Sequence, residues 1–174
     1  WCIAISSMFT LMIAMPVSAA TTTVSQRIAT GLDSFALLAI PFFILSGQIM
    51  SKGGIANRLI SFAKTLVGFL PGGLALINIV SAMLMGAIAG SAMASASAMG
   101  TILGPEMEKE GYSKEFGAAV NITSSTTGLV IPPSNTLIVY SLASGGVSIA
   151  ALFLAGYIPG ILTGLLMMIV AMIW

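Results

Sequence analysis

The chain has 174 residues, of which 57% are hydrophobic and 6% charged, with six Lys or Arg against five Asp or Glu. Soluble domains carry about 25% charged residues, so this composition belongs in a lipid bilayer and gives no reason to expect nucleic acid as a partner. No His and a single Cys2 remove the commonest general base, any internal disulfide and any cysteine-based metal site, which argues against an enzyme.

Residues 1–20 read as a transmembrane helix with Pro16 near its end, followed by a polar connector from Thr21 to Arg27. Asp33 and Ser34 then cap a second span over about 34–51, kinked at Pro41 and closed by Lys52-Gly53-Gly54. Ile55, Leu59, Phe62, Ala63, Leu66 and Leu70 recur at helical spacing, with Asn57, Arg58, Ser61 and Lys64 opposite. That pattern predicts an amphipathic helix over 55–70 lying in the membrane interface. Lys52, Arg58 and Lys64 mark this segment as cytoplasmic. The chain begins at Trp1 without the charged start of a signal peptide and ends in an uncharged run, so it reads as an internal piece of a larger membrane protein.

No Lys, Arg, Asp or Glu occurs from Thr65 to Pro105 or from Phe116 to Trp174. After Pro71-Gly72 the first apolar run ends near Leu103. About 31 residues exceed the ~20 of one span and fall short of the ~40 of two. Two half-length helices entering and leaving on one face fit this length, giving a re-entrant hairpin over about 72–104 that turns within Gly90–Ala98. One long tilted helix packed through Gly86, Gly90 and neighbouring Ala and Ser is the alternative. Residues 105–111 read as a short solvated helix stopped by Gly111.

Residues 114–143 form a broken span. Its first half ends in the hydroxyl cluster Thr123-Ser124-Ser125-Thr126-Thr127, Gly128 frees the backbone, and Pro132-Pro133 force an extended stretch before the helix resumes at Ser134. Ser144-Gly145-Gly146 is a turn, and 148–174 is a final span containing Pro159-Gly160. The fold class is therefore an all-α polytopic membrane protein, with scaffold-type helices in 1–70 and a transport-type region in 71–174.

Irregular backbone at membrane depth is tolerated only where it lines a protein-enclosed cavity. A broken helix offers carbonyls to Na⁺ and N–H groups to carboxylates, and Ser and Thr add neutral oxygens that suit a hard cation. Such a site needs no buried carboxylate, and neither irregular segment has one. Asn135, inside the break, is the stronger candidate among the deep carboxamides, and Asn78 reads as a packing hydrogen bond. Ser and Thr hydroxyls also bond carbonyls of the preceding helical turn, which is the alternative for each single hydroxyl. An intramembrane hydrolase using Ser134 lacks any nearby base.

The run Ala39-Ile40-Pro41-Phe42-Phe43-Ile44-Leu45-Ser46-Gly47 resembles the large membrane subunit of tripartite ATP-independent periplasmic (TRAP) transporters. So do Gly72-Gly73-Leu74-Ala75, Gly86-Ala87-Ile88-Ala89-Gly90-Ser91-Ala92, Gly128 with Ile131-Pro132-Pro133-Ser134, and Pro159-Gly160. The resemblance covers nearly the whole chain and implies a Na⁺-driven importer of organic acids, of the C4-dicarboxylate or sialic-acid type, in the bacterial inner membrane. It implies an elevator mechanism, a small four-helix membrane (Q) subunit and a periplasmic substrate-binding protein as partners, and no cofactor beyond Na⁺. The chain matches the N-terminal repeat of such a subunit, so the resemblance leaves the second repeat outside it. Carried over, Na⁺ falls to Gly90, Ser91, Ala92 and Ser95 of the hairpin tip with Gly128, Pro132, Pro133, Ser134 and Asn135 of the loop. Substrate falls to Ser95, Ser97, Ser134 and Asn135. Many members have an acidic residue or Thr where this chain has Ser95. Ser134-Asn135-Thr136 also resembles a triplet of binding-protein-independent divalent-anion/Na⁺ symporters, a second reading. A structural membrane subunit, in which the irregular segments only pack helices, is a third.

Overall fold

The computed structural model describes residues 2–33 and 35–173, with backbone alone for 35–39, 43 and 51. Among the described residues every regular element is a helix. The chain divides into two compact units, Trp1–Leu38 and Ala39–Trp174.

In the first unit, α1 (Cys2–Ala14) and α2 (Val17–Leu32) replace the single span predicted over 1–20. The break falls at Met15-Pro16, because proline has no N–H to donate and the residue before it avoids helical angles. The predicted connector Thr21–Arg27 is helical instead. The hydroxyls of Thr21, Thr22 and Thr23 donate to the carbonyls of Val17, Ser18 and Ala19 at 3.0, 2.8 and 2.8 Å, so this polar run meets its hydrogen-bonding needs within the helix. Asp33 ends α2, its N–H bonding the Ala29 carbonyl. The predicted cap at Ser34 lies outside the described residues.

α3 (Phe35–Lys52) continues through Pro41, and in the second unit α4 follows over Ile55–Val67. The buried face of α4 differs from the predicted one. Ala56 and Ala63 are buried and Leu59, Ile60 and Val67 partly so, against a core that includes Leu74, Ile77 and Met85. Phe62 and Leu66 face outward. Small residues let the helix axes approach closely, which turns the bulky ones away. The helix also ends at Val67 rather than Leu70, at Gly68.

α5 (Gly73–Ala89) is apolar on every side and forms the centre of the unit, as expected of a helix surrounded by neighbours. The helices α4, α6 (Ala92–Lys109), α7 (Lys114–Ser125) and α9 (Ile149–Ile173) all pack on it, as does a 3₁₀ turn at Thr126–Leu129. The chain reverses at Gly90-Ser91, so α5 and α6 are a helical hairpin and not one tilted helix. The reversal is tighter than predicted: Ala92 to Ala98 are already helical. Gly90 adopts φ +59, a left-handed angle that favours glycine. Ser91 caps α6 by accepting from the Ala94 N–H at 3.4 Å. α6 then runs on through Gly104-Pro105 to Lys109, so the separate short helix predicted after Leu103 is its last part.

α7 begins at the Ser113 cap, whose Oγ accepts from the Phe116 N–H at 3.2 Å. The break predicted in 114–143 is present: α7, the 3₁₀ turn, an irregular stretch at 130–134, then α8 (Asn135–Ala143). α9 is the one helix among the described residues long and apolar enough to cross a membrane. One side exposes Leu154, Ile158, Leu162 and Leu165. The other buries Gly156, Gly160 and Gly164, with Pro159 accommodated inside the helix.

Candidate functional site: a hairpin turn against an interrupted helix

Two irregular segments meet because glycine removes the side chains between them. A Cβ on Gly86 would lie 2.4 Å from the Gly128 Cα, so α5 and the 3₁₀ turn touch through backbone. One turn further along α5, a Cβ on Gly90 would lie 3.0 Å from the Pro133 carbonyl oxygen and 3.3 Å from Asn135 Nδ2. The hairpin turn and the break thus lie side by side. α9 supports the break from behind: a Cβ on Gly156 would be 2.5 Å from the Val130 carbonyl, and one on Gly160 2.4 Å from Ile131 Cγ1.

The break is held by its own hydrogen bonds. The N–H groups of Val130 and Ile131 both reach the Thr127 carbonyl, at 3.0 and 2.9 Å. Ser134 Oγ donates to the Leu129 carbonyl and accepts from the Leu137 N–H at 3.3 Å, which ties the stretch shut and caps α8. The hydroxyls of Thr123, Ser124, Ser125, Thr126 and Thr127 donate to carbonyls three or four residues back. This cluster is therefore satisfied within its own helix, the alternative the residue types left open.

A cleft of ≈ 930 Å³ opens beside the paired segments. Gly90, Ser91, Ala92, Ser97 and Asn135 line it, with Met93, Leu129 and Thr136. The remaining predicted positions lie behind this wall. Ser95 is fully buried and its Oγ donates to the Ala82 carbonyl of the facing arm at 3.0 Å. Ser134 is fully buried in the cap just described. Gly128 packs on Gly86, Pro132 is buried, and Pro133 presents its carbonyl to Gly90.

The electrostatics come from backbone. None of the cleft's described lining residues is ionisable. The N-termini of α6 and α8 both begin at the cleft, at Ala92 and Asn135, and first-turn N–H groups have no partner within their helix. The end of α5 and the Pro133 carbonyl supply the opposite polarity. Among the described residues no cluster of His, Cys, Asp or Glu suits a metal ion, so any cation here would be held by carbonyl, hydroxyl and carboxamide oxygens.

Three polar residues of the cleft lie outside the segments singled out from sequence: Gln48 of α3, Asn57 of α4 and Thr101 of α6. Gln48 had a legible signal, as the one long polar side chain between Ile40 and Met50. Asn57 was legible only as part of a polar face.

The family model described as tripartite ATP-independent periplasmic transporter, DctM component, matches residues 1–174. An uncharacterized protein, YgiK, of Salmonella typhimurium is 59% identical over 172 residues, covering 99% of this chain and 40% of that protein. The C4-dicarboxylate TRAP transporter large permease protein DctM of Vibrio cholerae is 46% identical over 135 residues, 78% of this chain and 30% of its own length. The sialic acid TRAP transporter large permease protein SiaM of the same species is 38% identical over 147 residues, 84% of this chain and 34% of its own length. The chain therefore spans two fifths or less of each of these relatives. The match of the family model along the whole length shows that the chain belongs to the DctM component family of tripartite ATP-independent periplasmic transporters.

Proposed function

We propose that this chain is the part of a TRAP large permease that builds one half of a Na⁺-coupled pathway for organic acids. The observation that carries this reading is the approach of Gly90 to the Pro133 carbonyl and Asn135 over a cleft whose described lining residues include no ionisable group. Carbonyls from the end of α5 and from the break suit Na⁺, while the N-termini of α6 and α8 favour a substrate carboxylate.

Within that reading the α5–α6 hairpin is re-entrant, 71–174 is the region that moves in an elevator step, and 1–70 is scaffold. Na⁺ is held by Gly90, Ser91, Ala92 and Asn135 at the cleft, with the Pro133 carbonyl. Ser95, Gly128, Pro132 and Ser134 fix the positions of these groups from behind. Ser97 and Asn135 face the substrate. Acids of the C4-dicarboxylate or sialic-acid type are the substrate class, after the relatives' names. A small four-helix membrane subunit and a periplasmic binding protein complete the system, in the bacterial inner membrane.

The test is uptake by the full-length protein in proteoliposomes, with its small subunit and binding protein, under Na⁺ or K⁺ gradients. Uptake that requires Na⁺ and the binding protein, and whose Na⁺ dependence weakens in Asn135→Ala, is the expected result. Uptake without the binding protein would move the chain to the symporter reading. An unchanged Na⁺ response in Asn135→Ala would leave the break as packing only.

A further inference from the structure

A second, smaller cavity of ≈ 190 Å³ lies further along the hairpin, among α5, α6 and α7. Asn78, Gly104, Met107 and Asn121 line it, and Glu108 and Lys114 stand at its edge. These two pair at 3.5 Å, with the Lys114 side chain 77% and the Glu108 side chain 48% exposed, so the cavity reaches the solvated end of the bundle.

The two carboxamides are each half-satisfied, in the same way. Asn121 Nδ2 donates to the Ala96 carbonyl at 2.9 Å, and Asn78 Nδ2 reaches Met107 Sδ at 3.8 Å. Both donor ends are thus fixed on α6. Both Oδ1 atoms are buried and accept no hydrogen bond from the protein. Asn78 is 1% exposed. Buried acceptors of this kind are costly unless a donor reaches them. A cavity lined by several polar groups, with volume for several waters, is where ordered water resides in proteins. The two charged residues at its edge, Glu108 and Lys114, offset each other.

We propose that this cavity is an internal hydration site, in which ordered water donates to Asn78 Oδ1 and Asn121 Oδ1 and joins the hairpin to α7 through solvent. The site is separate from the cleft and does not depend on the function proposed for it. Gly104 gives a clean probe, since a Cβ there meets no atom within 4 Å. Gly104→Thr and Gly104→Val introduce side chains of the same shape, one with a hydroxyl and one without. In a hydrated cavity the hydroxyl replaces a water and the methyl strands the two oxygens.

In the full-length protein, the Thr variant should therefore melt above the Val variant by about 2 °C or more. A Val variant more stable than the Thr variant would show a dry cavity and overturn the proposal. An experimental map of the full-length protein in Tl⁺ medium gives an independent reading. Density within hydrogen-bonding distance of both Oδ1 atoms, without anomalous signal, supports water. An anomalous peak there makes it a cation site instead and overturns the proposal, as does a map with no density at either oxygen.

Discussion

Gly86 and Gly128 face each other with nothing between their Cα atoms: a Cβ on either would come within 2.4–2.5 Å of the other's Cα. No rotamer relieves such an overlap, because the obstructing atoms are backbone. Gly86→Ala and Gly128→Ala should each cost about 2 kcal/mol or more, seen as a lower melting temperature and lower folded yield of the full-length protein. Gly31→Ala is the control, since a Cβ there meets nothing within 4 Å. It should leave stability unchanged or raise it by up to about 1 kcal/mol.

Ser134 and Asn135 are neighbours with different work. Ser134→Ala removes the cap of α8 and the closure onto Leu129, with an expected loss of about 1 kcal/mol. Asn135 lines the cleft, so Asn135→Ala should change the Na⁺ concentration for half-maximal uptake more than the melting temperature. Measuring both quantities for both variants separates the roles. A pure stability effect from Asn135→Ala would contradict the assignment.

Ser95 tests the hairpin in the same manner. Its Oγ bridges the two arms through the Ala82 carbonyl. Ser95→Ala should lower stability by about 1 kcal/mol and move the Na⁺ dependence of uptake much less than Asn135→Ala does. A marked shift in Na⁺ dependence would restore Ser95 as a direct ligand.

Gln48 and Asn57 are exposed residues of the cleft wall whose side chains make no hydrogen bond among the described residues. Gln48→Leu and Asn57→Ala should raise the KM for the transported acid about three- to tenfold, the value of one hydrogen bond, with little change in melting temperature. KM values unchanged in both variants would remove them from the substrate path.

What the sequence revealed depended on how far each signal reaches. Gly and Pro act locally, so Gly90, Gly128 and Pro132-Pro133 announced the turn and the break directly. Pro16 also acts locally, but the apolar run continues past it and masks its helix-breaking effect in the sequence. Thr21 to Arg27 look like a connector in sequence because polarity alone does not distinguish one from a helix whose hydroxyls bond back to their own carbonyls. Proline misled in the other direction at Gly104-Pro105, where neighbours keep α6 helical. The partition of the candidate site was not legible. Whether Ser95 or Ser97 faces the cleft depends on how α6 is rotated against α5, and that rotation is set by the arms' packing rather than by either serine. The cavity at Asn78 and Asn121 was equally out of reach, since those residues stand 43 positions apart and meet only once the hairpin has docked on α7.

The passage of α6 through Gly104-Pro105 without a break has a mechanical consequence. From Ala92 to Lys109 it is one rod of about 27 Å, with the cleft at one end and the Glu108–Lys114 pair at the other. A hinge at Gly104 would let the inner end tilt while the outer end stayed still. A continuous rod does not allow this, so a displacement of the Gly90 turn is carried to residues 109–113. A label at Lys109, well outside the cleft, therefore reports on events at the turn without touching it.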